Sequence, residues 1–432
     1  MTDKIELLRS LVRIETVNPP GNERPAIRLL ESVLTDAGLE VATYALVPER
    51  PNLIARIAGR GTAPPLLLQG HVDVVPATGQ WTRSPFGADV VDGFVWGRGT
   101  LDMKGPVVMM VDAFLRLAAD PTPPAGDVIL AILADEEMQG RFGAQFLVRE
   151  HPDLFHGVRY CLGEFGAFPF RLQGRRFYPI QVGERVGVEF LLTIEGPAGH
   201  GSMPIRGGAM AKLGRILRAL DRRRLPIHLT PATRLMVQAL ADHTSGPTRL
   251  ALRRLLAERT AGPALRALGP QLAMFEPMFR NTVSPTVVRG GDKHNVIPGR
   301  VTLGLDGRML PGVSVEEFER ELRAVVGSDC GIEAVTDGAT SPGDPDLGLF
   351  DLLAEALRRH DPEAIPIPFL LPAVTDGRWF AQLGIQPYGY TPMTLPDGFD
   401  FQRTVHAADE RIPVDALDFG SDVLFDVLRD YA

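Results

Sequence analysis

The sequence has few cysteines, no excess of positive charge and no long apolar segment. Its two cysteines, Cys161 and Cys330, cannot build a disulfide framework and suit a reducing compartment, so we expect a cytoplasmic location. The net charge of -8 disfavours nucleic acid as a main partner, because phosphate binders usually carry a basic face. No apolar run reaches the roughly 18 residues of a membrane span, and the charged start lacks the apolar centre of a signal peptide.

The length and the pattern of apolar residues predict two domains. A chain of 432 residues is too long for one ordinary core. In the first part, short apolar runs alternate with helical patterns, which predicts an α/β domain with a largely parallel sheet flanked by helices. After about residue 186, an alternating stretch and a long helical region, roughly 206–280, indicate an α+β arrangement. We predict an inserted domain at residues 187–335, with residues 1–186 and 336–432 forming the first domain.

Histidine and acidic side chains come directly after several of the predicted strands. The carboxyl ends of the strands in an open α/β sheet form the crevice where ligands bind. Carboxylates that converge there repel one another and need a cation. The residues concerned are His71 and Asp73 after "PLLLQG", Asp102 in "GRGTLDMKGP", Asp135, Glu136 and Glu137 after "DVILAILA", Glu164 after "VRYCLG", and His406 before the last helix.

This set of side chains predicts a catalytic site with two metal ions. Imidazole and carboxylate groups without a thiolate suit catalytic zinc, and also manganese or cobalt. Two histidines and even three of these carboxylates are too many for one ion that keeps an open position, but they suit two ions about 3.5–4 Å apart. Asp73 lies two residues from His71 and could accept its second ring N–H, which would fix the tautomer.

The motifs of the chain, taken together and in order, resemble those of the di-zinc metallopeptidases and amidohydrolases. That family includes aminoacylase, acetylornithine deacetylase, succinyl-diaminopimelate desuccinylase and carboxypeptidases of the G and S types. Each motif alone is a weak signal, but the ordered set covers essentially the whole chain and is specific. It consists of "TVNPPGNE", "GHVDVVP", "GRGTLDMKG", "DEEMQG", "GHGSMP", "HNVIPG", "DGRMLPG", "TDGRWF" and "VHAADERIPV".

The resemblance implies that two Zn²⁺ ions, or Co²⁺ or Mn²⁺, bind in the first domain. His71 and Glu164 would hold one ion. Glu137 and His406 would hold the other. Asp102 would bridge the two ions, and in the family the peptide bond after this aspartate is typically cis.

The resemblance also implies three catalytic residues. Glu136 would be the general base that takes a proton from water and passes it to the leaving nitrogen, and Asp73 would support the site. His200 would stabilise the oxyanion of the transition state, in the family commonly from the partner subunit of a dimer. Standing alone, "DEE" would more often be an exposed acidic turn, and the alternative for His200 is an ordinary loop histidine between two glycines.

For the substrate, the resemblance implies binding by Arg308, Asn295 and Gly377. The guanidinium of Arg308 offers a fork that suits a free α-carboxylate, and Asn295 would assist it. Gly377 would offer its backbone close to the substrate. The alternatives are a salt bridge for Arg308 and a plain turn for Gly377.

Two features depart from the commonest pattern of the family. Asp409 stands where many members have asparagine, which could alter the wall of the pocket. The long helical insert resembles the carboxypeptidase S and N-acyl amino acid hydrolase branch, and it weakens the inference of a dimer. Its apolar residues could line an acyl pocket or form ordinary core; they are Met274, Phe275, Met278 and Phe279.

We therefore expect a metal-dependent hydrolase that cleaves an amide bond next to a free α-carboxylate. An N-acyl amino acid deacylase comes first, and a metallocarboxypeptidase or dipeptidase with the same site comes second. A homologue that only binds small molecules is a remote alternative. The expected partner is an N-acyl amino acid or a short peptide, with no nucleic acid and no membrane. The inserted domain would be a lid or a dimerisation surface, so a homodimer is possible.

Overall fold

The computed structural model describes residues 3–267, 275–336 and 338–432. The chain forms two compact units. The first contains the chain up to Val182 together with Asp346–Phe369 and Thr375–Ala432, and the second contains Gly183–Pro345 and Leu370–Val374. These boundaries differ from the predicted 187 and 335, and the sequence did not predict that residues 370–374 belong to the second unit. Its role as a lid or dimerisation surface stays a prediction.

The first unit is built on a mixed sheet with a parallel centre. The strand order within the described residues is β1-β2-β6-β3-β7-β17-β9-β16, with β8 beside β9. Strand β3 runs parallel to both β6 and β7, and β17 runs parallel to β7, whereas β1, β2 and β9 pair antiparallel. The strands are β1 Val41–Ala45, β2 Pro51–Ile57, β3 Leu66–His71, β6 Val128–Leu133, β7 Tyr160–Gly163, β8 Phe170–Leu172, β9 Arg175–Glu184, β16 Ile365–Leu371 and β17 Gln386–Gly389.

The apolar runs of the sequence form the centre of this sheet. All six residues of β3 and all six of β6 are buried, as expected for strands covered by helices on both faces. The helices of the unit are α1 Lys4–Arg13, α2 Arg24–Asp36, α3 Lys104–Ala119, α4 Ala144–Glu150, α10 Phe350–His360, α11 Gly377–Phe380, α12 Phe401–Thr404 and α13 Val414–Asp430. The predicted α/β fold with a largely parallel central sheet is confirmed.

A small sheet, β18-β5-β4, also belongs to the first unit. Its strands are β4 Val90–Val91, β5 Phe94–Trp96 and β18 Arg411–Pro413. Strand β5 pairs antiparallel with β18, so residues 94–96 lie beside residues 411–413 from the far end of the chain. This pairing brings the loop after β5 next to the loop before β18, which carries His406.

The second unit contains a four-stranded antiparallel sheet in the order β12-β14-β10-β15. Along β10, buried and more exposed side chains alternate, because one face of the sheet packs on the helices Ala209–Arg222 and Val315–Val326 and the other face does not. Its elements are β10 Val186–Glu195, β11 Gly199–His200, β12 Thr282–Arg289, β13 Val296–Ile297, β14 Arg300–Met309, β15 Gly331–Val335, α5 Ala209–Arg222, α6 Pro231–Asp242, α7 Gly246–Leu255, α8 Glu258–Ala267 and α9 Val315–Val326.

The helical insert is not one long helix in its described part. Prolines stand in the first turn of α6 and of α7, where a new helix can begin because proline needs no hydrogen-bonded N–H there. Met278 and Phe279 are buried, with 1% and 0% exposure, which favours the reading as core. Met274 lies outside the described residues. No described helix combines the length and the apolar character that a membrane crossing requires.

Candidate metal centre and catalytic site

Three neighbouring strands of the first unit end at one edge of the sheet with ionisable side chains. His71 is the last residue of β3, which lies between β6 and β7. Glu136 and Glu137 follow β6 in a short 3₁₀ turn, Glu136–Met138, that begins after Asp135 with a φ of 72°. Glu164 comes directly after β7. Parallel alignment of these strands therefore gathers the groups that the sequence placed after separate apolar runs.

The carboxylate of Asp102 lies between two histidines. Its Oδ1 is 3.2 Å from Nε2 of His71, and its Oδ2 is 3.0 Å from Nε2 of His406. The peptide bond between Asp102 and Met103 is cis. One carboxylate with each oxygen facing a different imidazole has the arrangement that a group shared by two cations requires.

The other predicted carboxylates surround the same two imidazoles. Oε2 of Glu164 is 2.9 Å from Nε2 of His71, and Oε1 of Glu137 is 3.4 Å from Nε2 of His406. Oε2 of Glu136 is farther away, 4.0 Å from Nε2 of His71. The five predicted metal-binding residues and Glu136 thus lie together in one cluster, and two subsets could each hold an ion: His71 with Glu136 and Glu164, and His71 with Asp102 and Glu137.

The donor atoms fit a cation better than they fit one another. Within the described chain, Oε1 of Glu137 and Oε2 of Glu164 are buried and make no hydrogen bond of acceptable geometry. Burial, reinforced by the charge of Glu164, raises the pKa of Glu136 well above its usual value. Burial also raises the pKa of Glu164 to about 7. A buried carboxylate without a partner is costly, so this cluster is suited to divalent ions with oxygen and nitrogen ligands.

The surrounding carboxylates favour the protonated form of both histidines in the metal-free protein. The nearby carboxylates of Asp102 and then of Glu137 raise the pKa of His406 to about 10. Burial lowers the pKa of His71, but the nearby carboxylates of Asp102, Asp73 and Glu164 outweigh this effect and raise the pKa well above its usual value. A metal ion needs the neutral imidazole and the ionised carboxylate, so binding has to displace protons.

We expect zinc to bind the metal-free protein more tightly as the pH rises from about 6 to 8. The raised pKa values of His406 and Glu164 mean that protons compete with the metal at the lower pH. Zinc affinity can be measured at several pH values by competition with a chelator of known protonation, and proton release by calorimetry in two buffers. An affinity that does not change with pH, and no proton release, would contradict this prediction.

Asp73 contacts the turn that carries Glu136 rather than the ring of His71. Nδ1 of His71 is 3.0 Å from the carbonyl oxygen of Asp73 and 3.5 Å from its Oδ1, so the ring N–H bonds to the backbone. The carboxylate instead accepts the N–H of Glu136 and the N–H of Glu137, each at 3.2 Å. The predicted contact of the His71 ring with the Asp73 carboxylate, at 3.5 Å, is therefore longer than its contact with the Asp73 carbonyl, at 3.0 Å.

A buried network of polar side chains next to this turn was not predicted from the sequence. Nδ2 of Asn18 donates to Oδ2 of Asp73 at 2.8 Å and to Oδ1 of Asp135 at 2.9 Å. Arg50 reaches the same Oδ1 of Asp135 at 2.9 Å and Glu23 at 2.6 Å. Asn18 and Glu23 lie in the motif "TVNPPGNE", which could have drawn attention to them, whereas nothing around Arg50 marks it.

Gly377 lies at the start of α11, and both of its backbone groups are used within the fold. Its N–H donates to Oγ1 of Thr375 at 3.0 Å, and its carbonyl accepts from the N–H of Ala381. This geometry favours the plain turn over a contact with substrate. The neighbouring Asp376 was not predicted from the sequence. It is 1% exposed, and its two carboxylate oxygens make no hydrogen bond within the described residues. Burial raises the pKa of this carboxyl group to about 8.

The remaining predicted residues belong to the second unit. His200 ends β11, and its Nδ1 is 2.7 Å from Oγ of Ser202. The carbonyl of Asn295 accepts the N–H of Gly201 at 2.8 Å, so Asn295 lies beside His200. Arg308 is on β14, and its Nε is 3.1 Å from Oδ1 of Asp306. The salt bridge that was the alternative for Arg308 is thus present.

The Asp409 side chain bonds to Thr82. Its backbone has a φ of 62°, and its Oδ1 accepts from the N–H of Thr82 at 2.8 Å and from Oγ1 of Thr82 at 3.0 Å. Asparagine has the same carbonyl acceptor and also tolerates this left-handed backbone. Asp409, where the chain departs from the commonest pattern, therefore fixes the neighbouring loop that carries Thr82.

Known proteins resemble the chain over nearly its full length. The sequence profile of Peptidase family M20/M25/M40 matches residues 67–430. A succinyl-diaminopimelate desuccinylase of Cereibacter sphaeroides is 28% identical over 446 residues, covering 99% of this chain and 99% of the relative. An N-fatty-acyl-amino acid synthase/hydrolase of Bos taurus is 26% identical over 388 residues, covering 84% of this chain and 74% of the bovine protein.

Solved structures show the same fold. An M20 family metallo-carboxypeptidase from Sulfolobus solfataricus has a TM-score of 0.72 to this chain at 16% identity, and the match covers 99% of each chain. At that identity the likeness establishes a common architecture and leaves the substrate open.

Proposed function

Because the chain belongs to Peptidase family M20/M25/M40, and is therefore an enzyme of the hydrolase and peptidase class, we propose that it hydrolyses an amide bond next to a free α-carboxylate. The leading substrates are N-acyl amino acids. The observation that carries the proposal is the carboxylate of Asp102, whose two oxygens face two different histidines. That arrangement suits a centre with two metal ions.

In the proposed centre, His71 and Glu164 would hold one ion, Glu137 and His406 would hold the other, and Asp102 would serve both. The short distances of Glu164 to His71 and of Glu137 to His406 support this division. Two Zn²⁺ ions, or Co²⁺ or Mn²⁺, would polarise the substrate carbonyl and make water more acidic.

Glu136 is the proposed general base. Its side chain is 10% exposed and stands 4.0 Å from His71, close to the cluster but outside the pairs formed by the other carboxylates. As a carboxylate it takes a proton from the attacking water, and as an acid it returns the proton to the leaving nitrogen. Asp73 fixes the position of this base, because its carboxylate accepts the N–H of Glu136 and of Glu137.

The second unit supplies the proposed contacts to the substrate. Nδ1 of His200 accepts from Ser202, so the hydrogen of the neutral ring lies on Nε2, which is available to donate to an oxyanion. Arg308 would bind the α-carboxylate through its guanidinium, together with Asn295. Gly377, in the first unit, completes the proposed set, and its N–H and carbonyl already bond within the fold.

A metallocarboxypeptidase or dipeptidase with the same centre is the second candidate. A probable carboxypeptidase S-like protein of Dictyostelium discoideum, 26% identical over 394 residues, supports it, whereas the names of the Cereibacter and bovine relatives support removal of an acyl group. A protein that only binds small molecules would be expected to lack a ligand or the base, and this chain keeps them all. The cytoplasmic location and the homodimer stay predictions.

The test is the release of amino acid from a mixed panel of N-acyl amino acids and dipeptides by the zinc-loaded protein. The Glu136→Gln variant serves as the blank, because it removes only the proposed base. Release from acylated substrates alone is the expected result. Release from dipeptides alone would make the protein a peptidase, and no release above the blank from either class would contradict the proposed function.

A further inference from the structure

Arg98 and Glu410 form an ion pair that is almost completely excluded from solvent. Nη1 of Arg98 donates to Oε2 of Glu410 at 2.5 Å, and the two side chains are 1% and 0% exposed. The residues are brought together by the pairing of β5 with β18, because Arg98 follows β5 and Glu410 comes directly before β18. No family motif discussed above assigned either residue a function.

Glu410 fixes the backbone at Asp102, the residue whose carboxylate faces both histidines. Its second oxygen, Oε1, accepts the N–H of Leu101 at 2.8 Å and the N–H of Asp102 at 3.2 Å. Asp102 does not stand at the end of a parallel strand, so the sheet does not fix it as it fixes His71. The bonds from Glu410 supply that constraint.

Arg98 holds the backbone of the second histidine. Its Nη2 donates to the carbonyl oxygen of His406 at 3.3 Å and to that of Pro76 at 3.5 Å. His406 has a left-handed backbone, with a φ of 60°, and its side chain is 48% exposed. Packing around the ring is therefore limited, and the position of the imidazole depends on where its backbone is held.

We propose that the Arg98–Glu410 pair is a positioning device that places Asp102 and His406 for the metal site shared with Glu137. This inference rests on the proposed two-metal function. Stability alone does not require such a pair, because well-packed apolar residues often replace a buried ion pair without loss. What apolar residues could not replace is the set of bonds to Leu101, Asp102 and His406, which joins two ligands from distant parts of the chain.

The test is a calorimetric titration of the metal-free protein with zinc, which does not depend on catalysis. The main variant is the double substitution Arg98→Met with Glu410→Leu, which leaves no unpaired buried charge. Glu410→Gln is the conservative variant, because its amide oxygen can still accept the two N–H groups. Asp361→Asn is the matched control, since Asp361 is also a buried carboxylate, bonded to Arg176 and Tyr178 in the same unit.

We expect two zinc sites in the wild type and in Asp361→Asn. In the double variant, the site that includes His406 should weaken by about 10–100-fold, the usual effect of losing an outer hydrogen-bond partner. The other site, which depends on the pair only through Asp102, should weaken less. Glu410→Gln should weaken the site that includes His406 less than the double variant does. Adding His406→Ala to the double variant should cost little more, because both changes act on one site.

Two normal sites in the folded double variant would overturn the proposal, and so would equal weakening of both sites. If the double variant does not fold, Glu410→Gln carries the test, and wild-type affinity at both of its sites would overturn the proposal. Fewer than two sites in the wild type would contradict the proposed function itself, and the positioning role with it.

Discussion

Replacing Glu136 with glutamine is expected to lower kcat by about 10²–10⁴-fold while zinc still binds at both sites. Glutamine has nearly the same shape as glutamate, but it cannot accept a proton from water or return one to the leaving nitrogen. The backbone N–H of residue 136 remains bonded to Asp73, so the turn should keep its structure.

The measurement is kcat on the best substrate from the panel, with zinc content determined on the same sample. Glu150→Gln is the matched control, because Glu150 is an exposed carboxylate at the end of α4 and should leave kcat unchanged. Full activity in Glu136→Gln would mean that another group is the base. Loss of zinc from this variant would mean that Glu136 is itself a metal ligand. Its carboxylate, 4.0 Å from Nε2 of His71, is close enough for that role.

Replacing Asp102 with asparagine is expected to lower turnover at least about a hundredfold and to reduce the amount of bound zinc. The amide is neutral and offers one oxygen in place of two, so it cannot face both ions with negative charge. Because Asp102 contacts His71 and His406 alike, both ions should bind more weakly.

Zinc per chain after dialysis, together with kcat, measures this effect. Asp112→Asn is the matched control on the neighbouring helix α3, since the carboxylate of Asp112 is also largely buried and, within the described residues, pairs with Lys4 and Arg116 outside the cluster. It should retain zinc and activity. An Asp102→Asn variant with two tightly bound ions and normal turnover would remove Asp102 from the proposed centre.

The sequence predicted the sheet and the residues at its edge because both depend on local patterns. His71, Glu136 and Glu164 each follow an apolar run, and parallel pairing of β3, β6 and β7 is enough to bring them together. The positions of Asp102 and His406 could not be reached in this way. They rest on the pairing of β5 with β18, which joins distant parts of the chain and leaves no periodic signal.

The groups that support the site were the hardest to predict. Asn18, Arg50 and Glu410 act through buried hydrogen bonds and ion pairs to residues far away in sequence, and such contacts have no compositional signature. Within "TDGRWF", the sequence pointed to Gly377, whereas Asp376 has the buried carboxylate without a hydrogen-bond partner in the described residues. The predicted division of the chain missed residues 370–374 because a short return segment carries no change in composition.

The proposed two-metal centre is best tested by anomalous X-ray diffraction from crystals of the zinc-loaded protein. The predicted result is two zinc peaks about 3.5–4 Å apart, with Asp102 between them, His71 and Glu164 at one and Glu137 and His406 at the other. A single peak, or zinc bound instead at the separate cluster of His228, Glu317 and Glu321, would contradict the two-metal centre.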